Sequence, residues 1–589
     1  MKKNSPTLKE IFLDALENYK KRNFEAAEKL CNKILSIDNE HFDSFVLLSN
    51  MEAIKRNFKK AKEYLEKANE IKPRDVTVLN NLGTANKELG NIQKSINFYE
   101  DVLKIEPNHT NAQYNLGTIY YNLREIKKAK TAFEKTIKVQ PNYALAFVNL
   151  ANVNVELKDY EEAKINYKKA LKINSKLVGA HNNLGLVYRE LNDYKNAIES
   201  YEKTIKLNPK HGGAYHNMAL AFKELGDFNK AISSHKMAIK QEPENFLNYF
   251  YLSELDQNIL SDDLRKKINK ILENKNLSAS DLAYGNYLLS KYEKKDNKYE
   301  EELEFLKKGH KHFFESRKEK FTLGVKYCFQ DVPQISKGVY VENKKEKNTN
   351  KIKPIFIVGV PRCGSTLVEK IIGSGLKFVP MGEETAIMEN FINSKILEKK
   401  SLNLGNVINL RNEISDLYKK KGLIEVKHDY RFTDKSLNNF FYLKFIKDVF
   451  PNAKIINCKR DILSSIMSIF QNNITELAWT HDLDNVFKYF NNYFEIIRKY
   501  SETEPNSIYE LEFEKLVNDP ENESKKLMNF CELSWDKKCL EFYKRKDLIS
   551  KTASNVQVRK AIYKHSLEKY LPYKKYLNQY GEKYSWFKK

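Results

Sequence analysis

The chain has 589 residues, 41% of them hydrophobic, and 101 Lys and Arg against 78 Asp and Glu give it a net charge of +23. That length is too great for one hydrophobic core, since domains usually run to roughly 100 to 200 residues, and no apolar run approaches the roughly 20 residues that span a bilayer. Two or more soluble domains are expected, and neither a transmembrane segment nor a nucleic-acid partner is, because lysine alternates with Glu and Asn along helical faces without an aromatic and arginine stripe.

The N-terminus, MKKNSPTLKEIFLDAL, is charged at helical spacing and lacks the apolar core of a signal peptide, which points to the cytoplasm. The six cysteines are scattered and form no CxxC pair, so reduced thiols are expected rather than a disulfide framework or a zinc site. From the first helix onward a period of 34 residues governs the chain: Pro73, Pro107, Pro141, Pro209 and Pro243 share it, with Ser175 in the one empty slot. A small residue recurs at Ala15, Ser49, Gly83, Gly117, Ala151, Gly185 and Ala219, and another at Ala27, Ala61, Ser95, Ala129, Ala163, Ala197 and Ala231. Tyr99, Phe133, Tyr167 and Tyr201 follow the same period. The spacing describes two helices per unit, small residues where they cross closely, an aromatic in the next gap and proline at the start of the following unit. It resembles the tetratricopeptide repeat, and seven units fit between residues 8 and 245.

Such units bury their apolar faces only by stacking, which builds a solenoid with an inner groove suited to a peptide or protein. Asn81, Asn115, Asn149, Asn183 and Asn217 recur on the first helices, where they either hydrogen-bond an extended peptide or stay solvated. A spacer or dimerisation arm is the other reading of the array. Residues 246–340 remain helical without a strict period, as an atypical capping region would, and 341–353 read as a polar, lysine-rich linker.

The segment PIFIVGVPRCGSTLVEKII opens the next domain, 354–589. IFIVGV reads as a buried parallel strand and STLVEKII as a helix, so the turn between them aims backbone N–H groups and a positive helix end at an anion. Gly359 and Gly364 match the GxxxxG of a phosphate loop, but Ser365 and Thr366 stand where a nucleotide kinase has Lys and Ser or Thr, and Arg362 supplies the charge instead. Downstream, AKIINCKRDILSSIMSIF again reads as strand then helix, with Arg460 at the strand end and Ser468 eight residues on. A guanidinium fork and a hydroxyl suit a dianion there.

At PRCGST the chain resembles the sulfotransferases, above all tyrosylprotein sulfotransferases and their bacterial relatives fused to tetratricopeptide repeats. The resemblance implies an α solenoid followed by an α/β P-loop-like domain with a parallel sheet. It also implies 3′-phosphoadenosine 5′-phosphosulfate (PAPS) as sulfuryl donor, without a metal. Arg362, Cys363, Gly364, Ser365 and Thr366 would then hold the 5′-phosphosulfate, and Arg460 with Ser468 the 3′-phosphate. Ser464 and Ser465 compete for the role of Ser468. SNVQVRKAIYKHSLEKY resembles the last cofactor-contacting segment, through Ser554, Gln557 and Lys569, with Arg559 and Lys560 adding charge.

The MGEET segment lies where the tyrosylprotein enzymes place their catalytic glutamate, so the resemblance makes Glu384 the base, with Glu383 the runner-up and His428 an alternative. FTDKSLNNFFYLKFI resembles the segment that supplies a catalytic lysine, here Lys435, acting with Arg362 on developing negative charge. Departures concern the acceptor: arginines that read acidic peptides become Ala386 and Asn390, a cofactor-site tyrosine becomes Phe513, and a further arginine becomes Asn472. The expectation is a PAPS-dependent sulfotransferase acting on a hydroxyl of a protein or peptide recruited by the repeat groove. A glycan or lipid-linked sugar acceptor, an inactive binding scaffold and a small-molecule kinase are the rivals.

Overall fold

A computed structural model of the chain describes residues 7–274, 276–342, 351–425, 430–545, 557–562 and 567–588, except for the side chains of 557 and 567–569. The chain divides into two compact units, Met1–Asn217 and Met218–Lys589.

The first unit is a stack of antiparallel helix pairs, from Leu8–Lys20 with Phe24–Ile37 to Val178–Glu190 with Tyr194–Leu207. The sequence period has a steric origin. A Cβ on Gly83 would lie 2.7 Å from the Tyr99 ring, one on Gly117 2.7 Å from Phe133, and one on Gly185 2.5 Å from Tyr201. The aromatic of each second helix thus sits directly on the glycine of the first, and Tyr99, Phe133 and Tyr201 are fully buried. The turn inside each pair has its own repeat: Arg22, Arg56, Gly90, Arg124, Lys158 and Asn192 all have positive φ. A left-handed residue there ends the first helix and reverses the chain. Because side chains other than glycine fill most of these positions, this mark is hard to see in the sequence.

The second unit begins in the helix Gly212–Leu225 and continues through helices to Val332–Gly338 before the first strand. The strands are β1 (Tyr340–Glu342), β2 (Lys353–Val358), β3 (Asn403–Asn406), β4 (Arg431–Asp434), β5 (Lys454–Lys459) and β6 (Ile508–Glu512). The pair β1 and β3 is parallel, and the other four form a parallel sheet in the order β4-β2-β5-β6. The two expected strands are β2 and β5, followed by the expected helices Ser365–Gly373 and Ile462–Gln471. Every side chain of Pro354–Val358 is buried, as the unbroken apolar run requires for a strand covered on both faces.

The helices before the sheet share its core. Tyr287, Phe313 and Phe321 belong to the same buried cluster as Phe470 and Trp479, and Tyr573 donates a hydrogen bond to Glu302 at 2.6 Å. His310 lies between Phe470, whose carbonyl is 2.7 Å from its Nε2, and His481, 2.9 Å away at Nδ1. A fragment 354–589 is therefore expected to lack a cooperative thermal transition, whereas 212–589 retains one. A sharp melt of the shorter fragment at the temperature of the longer one would contradict this packing.

The histidine pair also makes stability depend on pH. Burial pushes His310 down to about 4, and burial with the neighbouring His310 and Arg317 pushes His481 down to about 2. Between the ordinary value near 6.5 and these folded values, the unfolded chain binds more protons than the folded one. Stability is thus present above about 6.5 and is lost as the pH falls. A urea series from pH 7 to 5 is expected to show a falling midpoint, with a flatter dependence in His481→Phe. Identical slopes would exclude the pair as the cause.

The six cysteines are all free and buried. Among the described residues no helix is long and apolar enough to cross a membrane.

Candidate functional site

Strand β2 lies between β4 and β5, so the chain crosses to one side of β2 and later returns on the other. The carboxyl ends of strands at such a reversal form the crevice where open parallel sheets bind ligands. Here the residues following β2, β4, β5 and β6 are Gly359, Lys435, Arg460 and Phe513. Thus the sheet brings three separately recognised sequence segments to one edge.

The loop after β2 is held in a conformation that few residues tolerate. Arg362 has φ 68° and Gly364 φ 100°, and a Cβ on Gly364 would lie 2.3 Å from Phe513. Gly364 is also the N-cap of the helix Ser365–Gly373 and has no side chain with which to cap it. Cys363 turns inward: its amide donates to the Val360 carbonyl at 3.2 Å, and its thiol packs beside Cys458 under Gly359.

Arg362 donates from Nε to the Ser468 hydroxyl at 2.9 Å. Arg460 donates from Nη1 to the Arg362 carbonyl at 2.9 Å and lies 4.7 Å above the Phe513 ring. Its Nε is buried without a hydrogen-bond partner, a costly condition for a charged donor that an anion would relieve. Ser464 and Ser465 are buried within the helix Ile462–Gln471, and Asn472 donates to the Ser468 carbonyl at 2.6 Å. The cluster suits a phosphorylated ligand: two guanidinium groups, a hydroxyl and the N-terminus of a helix meet at one strand edge.

Beside it lies a network of carboxylates and ammonium groups. Lys435 is 4% exposed, so its ammonium is held by protein groups and not by solvent. Its Nζ is 3.3 Å from Glu384 Oε1 and 4.0 Å from Glu369 Oε2. Burial opposes its charge, but Glu369, Glu384 and Glu383 hold the ammonium above the ordinary lysine range. The Glu384 side chain is 61% exposed. Glu383 instead turns toward buried Lys370, at 3.7 Å.

Several residues that fix this geometry carried no motif signal. Asp434 accepts from Ser436 N at 2.8 Å, Ser436 Oγ at 2.6 Å, Asn439 at 2.9 Å, Tyr418 at 2.6 Å and Thr385 at 2.7 Å. It thereby ties the turn after β4 to the Gly382–Thr385 segment. Glu383 and Ala386 have φ of 50° and 51°, a left-handed backbone that non-glycine residues adopt where surrounding bonds impose it. A Cβ on Gly382 would lie 2.4 Å from the Thr433 carbonyl, so the close approach needs glycine. The C-terminal segment reaches the same unit through Arg559, which donates to the Glu224 carbonyl at 2.7 Å. Ser554 and His428, and the side chains of Gln557 and Lys569, lie outside the described residues. Among the described residues no group of His, Cys, Asp and Glu is placed to hold a metal ion.

Residues 354–537 match the model described as "Sulfotransferase family", and 42–75 match "Tetratricopeptide repeat". Residues 69–246 match "Tetratricopeptide repeat protein 21 C-terminal ARM domain". This chain carries a sulfotransferase-family domain behind tetratricopeptide repeats. The sulfotransferase-family domain contains the loop, Lys435, Arg460 and Ser468 within its matched span. An uncharacterized protein of Aquifex aeolicus is 32% identical over 266 residues, 43% of this chain and 35% of that protein. Protein-tyrosine sulfotransferase A of Caenorhabditis elegans is 29% identical over 233 residues, 36% of this chain and 59% of its own length. The chain thus spans less than two thirds of either relative. The crystal structure of MamA is 28% identical, covering 28% of this chain and 95% of its own, with a TM-score of 0.27.

Proposed function

We propose that the protein moves a sulfuryl group from PAPS to a hydroxyl, and that the acceptor is a protein or peptide held by the repeats. The gathering of Arg362, Arg460, Ser468 and Lys435 at one sheet edge carries this reading. Arg460 and Ser468 are assigned to a 3′-phosphate, and Arg362 with the first turn of Ser365–Gly373 to a 5′-phosphosulfate. When bound, the donor supplies an activated sulfuryl group on a phosphate leaving group. Lys435 and Arg362 stabilise negative charge that develops there.

Glu384 takes the proton of the acceptor hydroxyl, and its exposure supports that role, since a base must meet the incoming group. Its contact with Lys435 at 3.3 Å aims it at the same place. Glu383, turned toward Lys370, is less available.

The first helices of the repeats support a peptide acceptor. Asn81 donates to Asn50 at 3.4 Å, Asn149 to Tyr114 at 3.0 Å, Asn183 to Asn152 at 3.3 Å and Asn217 to Asn182 at 3.0 Å. These half-buried amides form a ladder suited to a peptide backbone, with donors and acceptors at the spacing of the repeat. The buried free thiols favour a reducing, cytoplasmic setting. Incubation with sulfur-labelled PAPS and a cell lysate is expected to place label on protein. Label confined to glycan or lipid would move the acceptor to those classes, and no transfer at all would contradict the reading.

A further inference from the structure

Glu369 has no role in the reading above, yet it is fully buried, on the helix that begins in the phosphate loop. Its Oε1 accepts from Thr433 Oγ1 at 2.6 Å and from the backbone N–H of Glu383 at 3.0 Å. Its Oε2 has no hydrogen-bond partner and lies 4.0 Å from Lys435 Nζ. One carboxylate therefore touches all three parts of the site: the helix behind the loop, the turn that carries Glu384, and the end of β4 that carries Lys435.

We propose that Glu369 is a positioning residue for sulfuryl transfer, fixing the Glu383–Glu384 turn and the Lys435 ammonium relative to the phosphate loop. The inference rests on the transferase reading. A buried acid is expensive unless its lone pairs are used; here Oε1 is used by Thr433 and the turn, and Oε2 faces the Lys435 ammonium across 4.0 Å. Glu369 also decides the charge balance at Lys435. Facing that ammonium are Glu369 from the helix and Glu383 and Glu384 from the turn, with Lys370 nearby. While Lys435 is paired with Glu384, the lysine and the base hold each other. An anion behind Lys435 keeps it charged when Glu384 turns to take a proton from the acceptor.

The test compares wild type, Glu369→Gln and Thr433→Val in the full chain, measuring PAPS binding by calorimetry and turnover against pH. Glutamine retains an oxygen for Thr433 and Glu383 but removes the charge. The expected result for Glu369→Gln is PAPS affinity near that of wild type and kcat lower by about 10- to 100-fold. The high-pH limb of the profile should also move down by about one pH unit, as Lys435 loses its proton more readily. Thr433→Val, which frees the carboxylate without removing it, should lower kcat by a smaller factor and carries the test if Glu369→Gln does not fold. Unchanged kcat and an unmoved limb in a folded variant would overturn the inference. Loss of PAPS binding in both variants would also do so, since it would make Glu369 part of the loop's support alone. A wild type that binds PAPS but transfers nothing would instead overturn the transferase reading.

Discussion

Replacing Glu384 by glutamine is expected to leave PAPS binding intact and to lower turnover by roughly 10² to 10⁴. The side chain is mostly exposed and touches the rest of the site through Lys435 at 3.3 Å. Its loss therefore has little to unfold. Lys435, by contrast, keeps Glu369 at 4.0 Å, so the variant retains a charged lysine beside the phosphate loop. Glu383→Gln is expected to behave differently, because Glu383 pairs with buried Lys370 and sits in a left-handed turn. It should lower the melting temperature more than kcat. Calorimetry with PAPS and single-turnover transfer separate the two variants. If Glu383→Gln alone abolished transfer with binding intact, the base would lie one residue earlier in the chain.

How much of this site was legible depended on whether a residue acts by its own chemistry or by holding another. Arg362, Lys435 and Arg460 carry charge and Ser468 a hydroxyl within recognisable motifs, and the fold brings them to one edge of the sheet. Asp434, Thr385 and Glu369 fix those groups through contacts between segments about 50 to 64 residues apart, which no local pattern records. Lys435 shows the same limit. Its neighbours in sequence allow a solvated helix end, whereas β4 and the helix Ser365–Gly373 bury it.

The fold follows a similar division. The 34-residue period exposed the helix pairs because each glycine has to accommodate an aromatic ring. The short strands β1, β3, β4 and β6 leave little mark in the sequence: Asn403–Asn406 and Arg431–Asp434, for example, have neither apolar alternation nor a β-branched run. Burial of β4 comes from its place beside β2, a property of the assembled sheet. Likewise the helices around His310 resemble a solenoid end in sequence, yet Phe313 and Phe321 stack on His481 within the core of the α/β body.

Sulfuryl transfer from PAPS requires recognition of a nucleotide with a 3′-phosphate, and Arg460 is the residue at which to measure it. A charge-assisted hydrogen bond to that phosphate contributes roughly 1.5 to 3 kcal/mol, so Arg460→Ala should weaken PAPS about 10- to 150-fold. The substitution also removes the bond to the Arg362 carbonyl and the contact with Phe513. Any damage to the loop from those losses falls equally on adenosine 5′-phosphosulfate, which shares the 5′ end and lacks the 3′-phosphate. Titrating both nucleotides into wild type and variant isolates the coupling. A large loss is expected for PAPS and almost none for adenosine 5′-phosphosulfate, whereas equal losses for the two would exclude Arg460 from the 3′-phosphate.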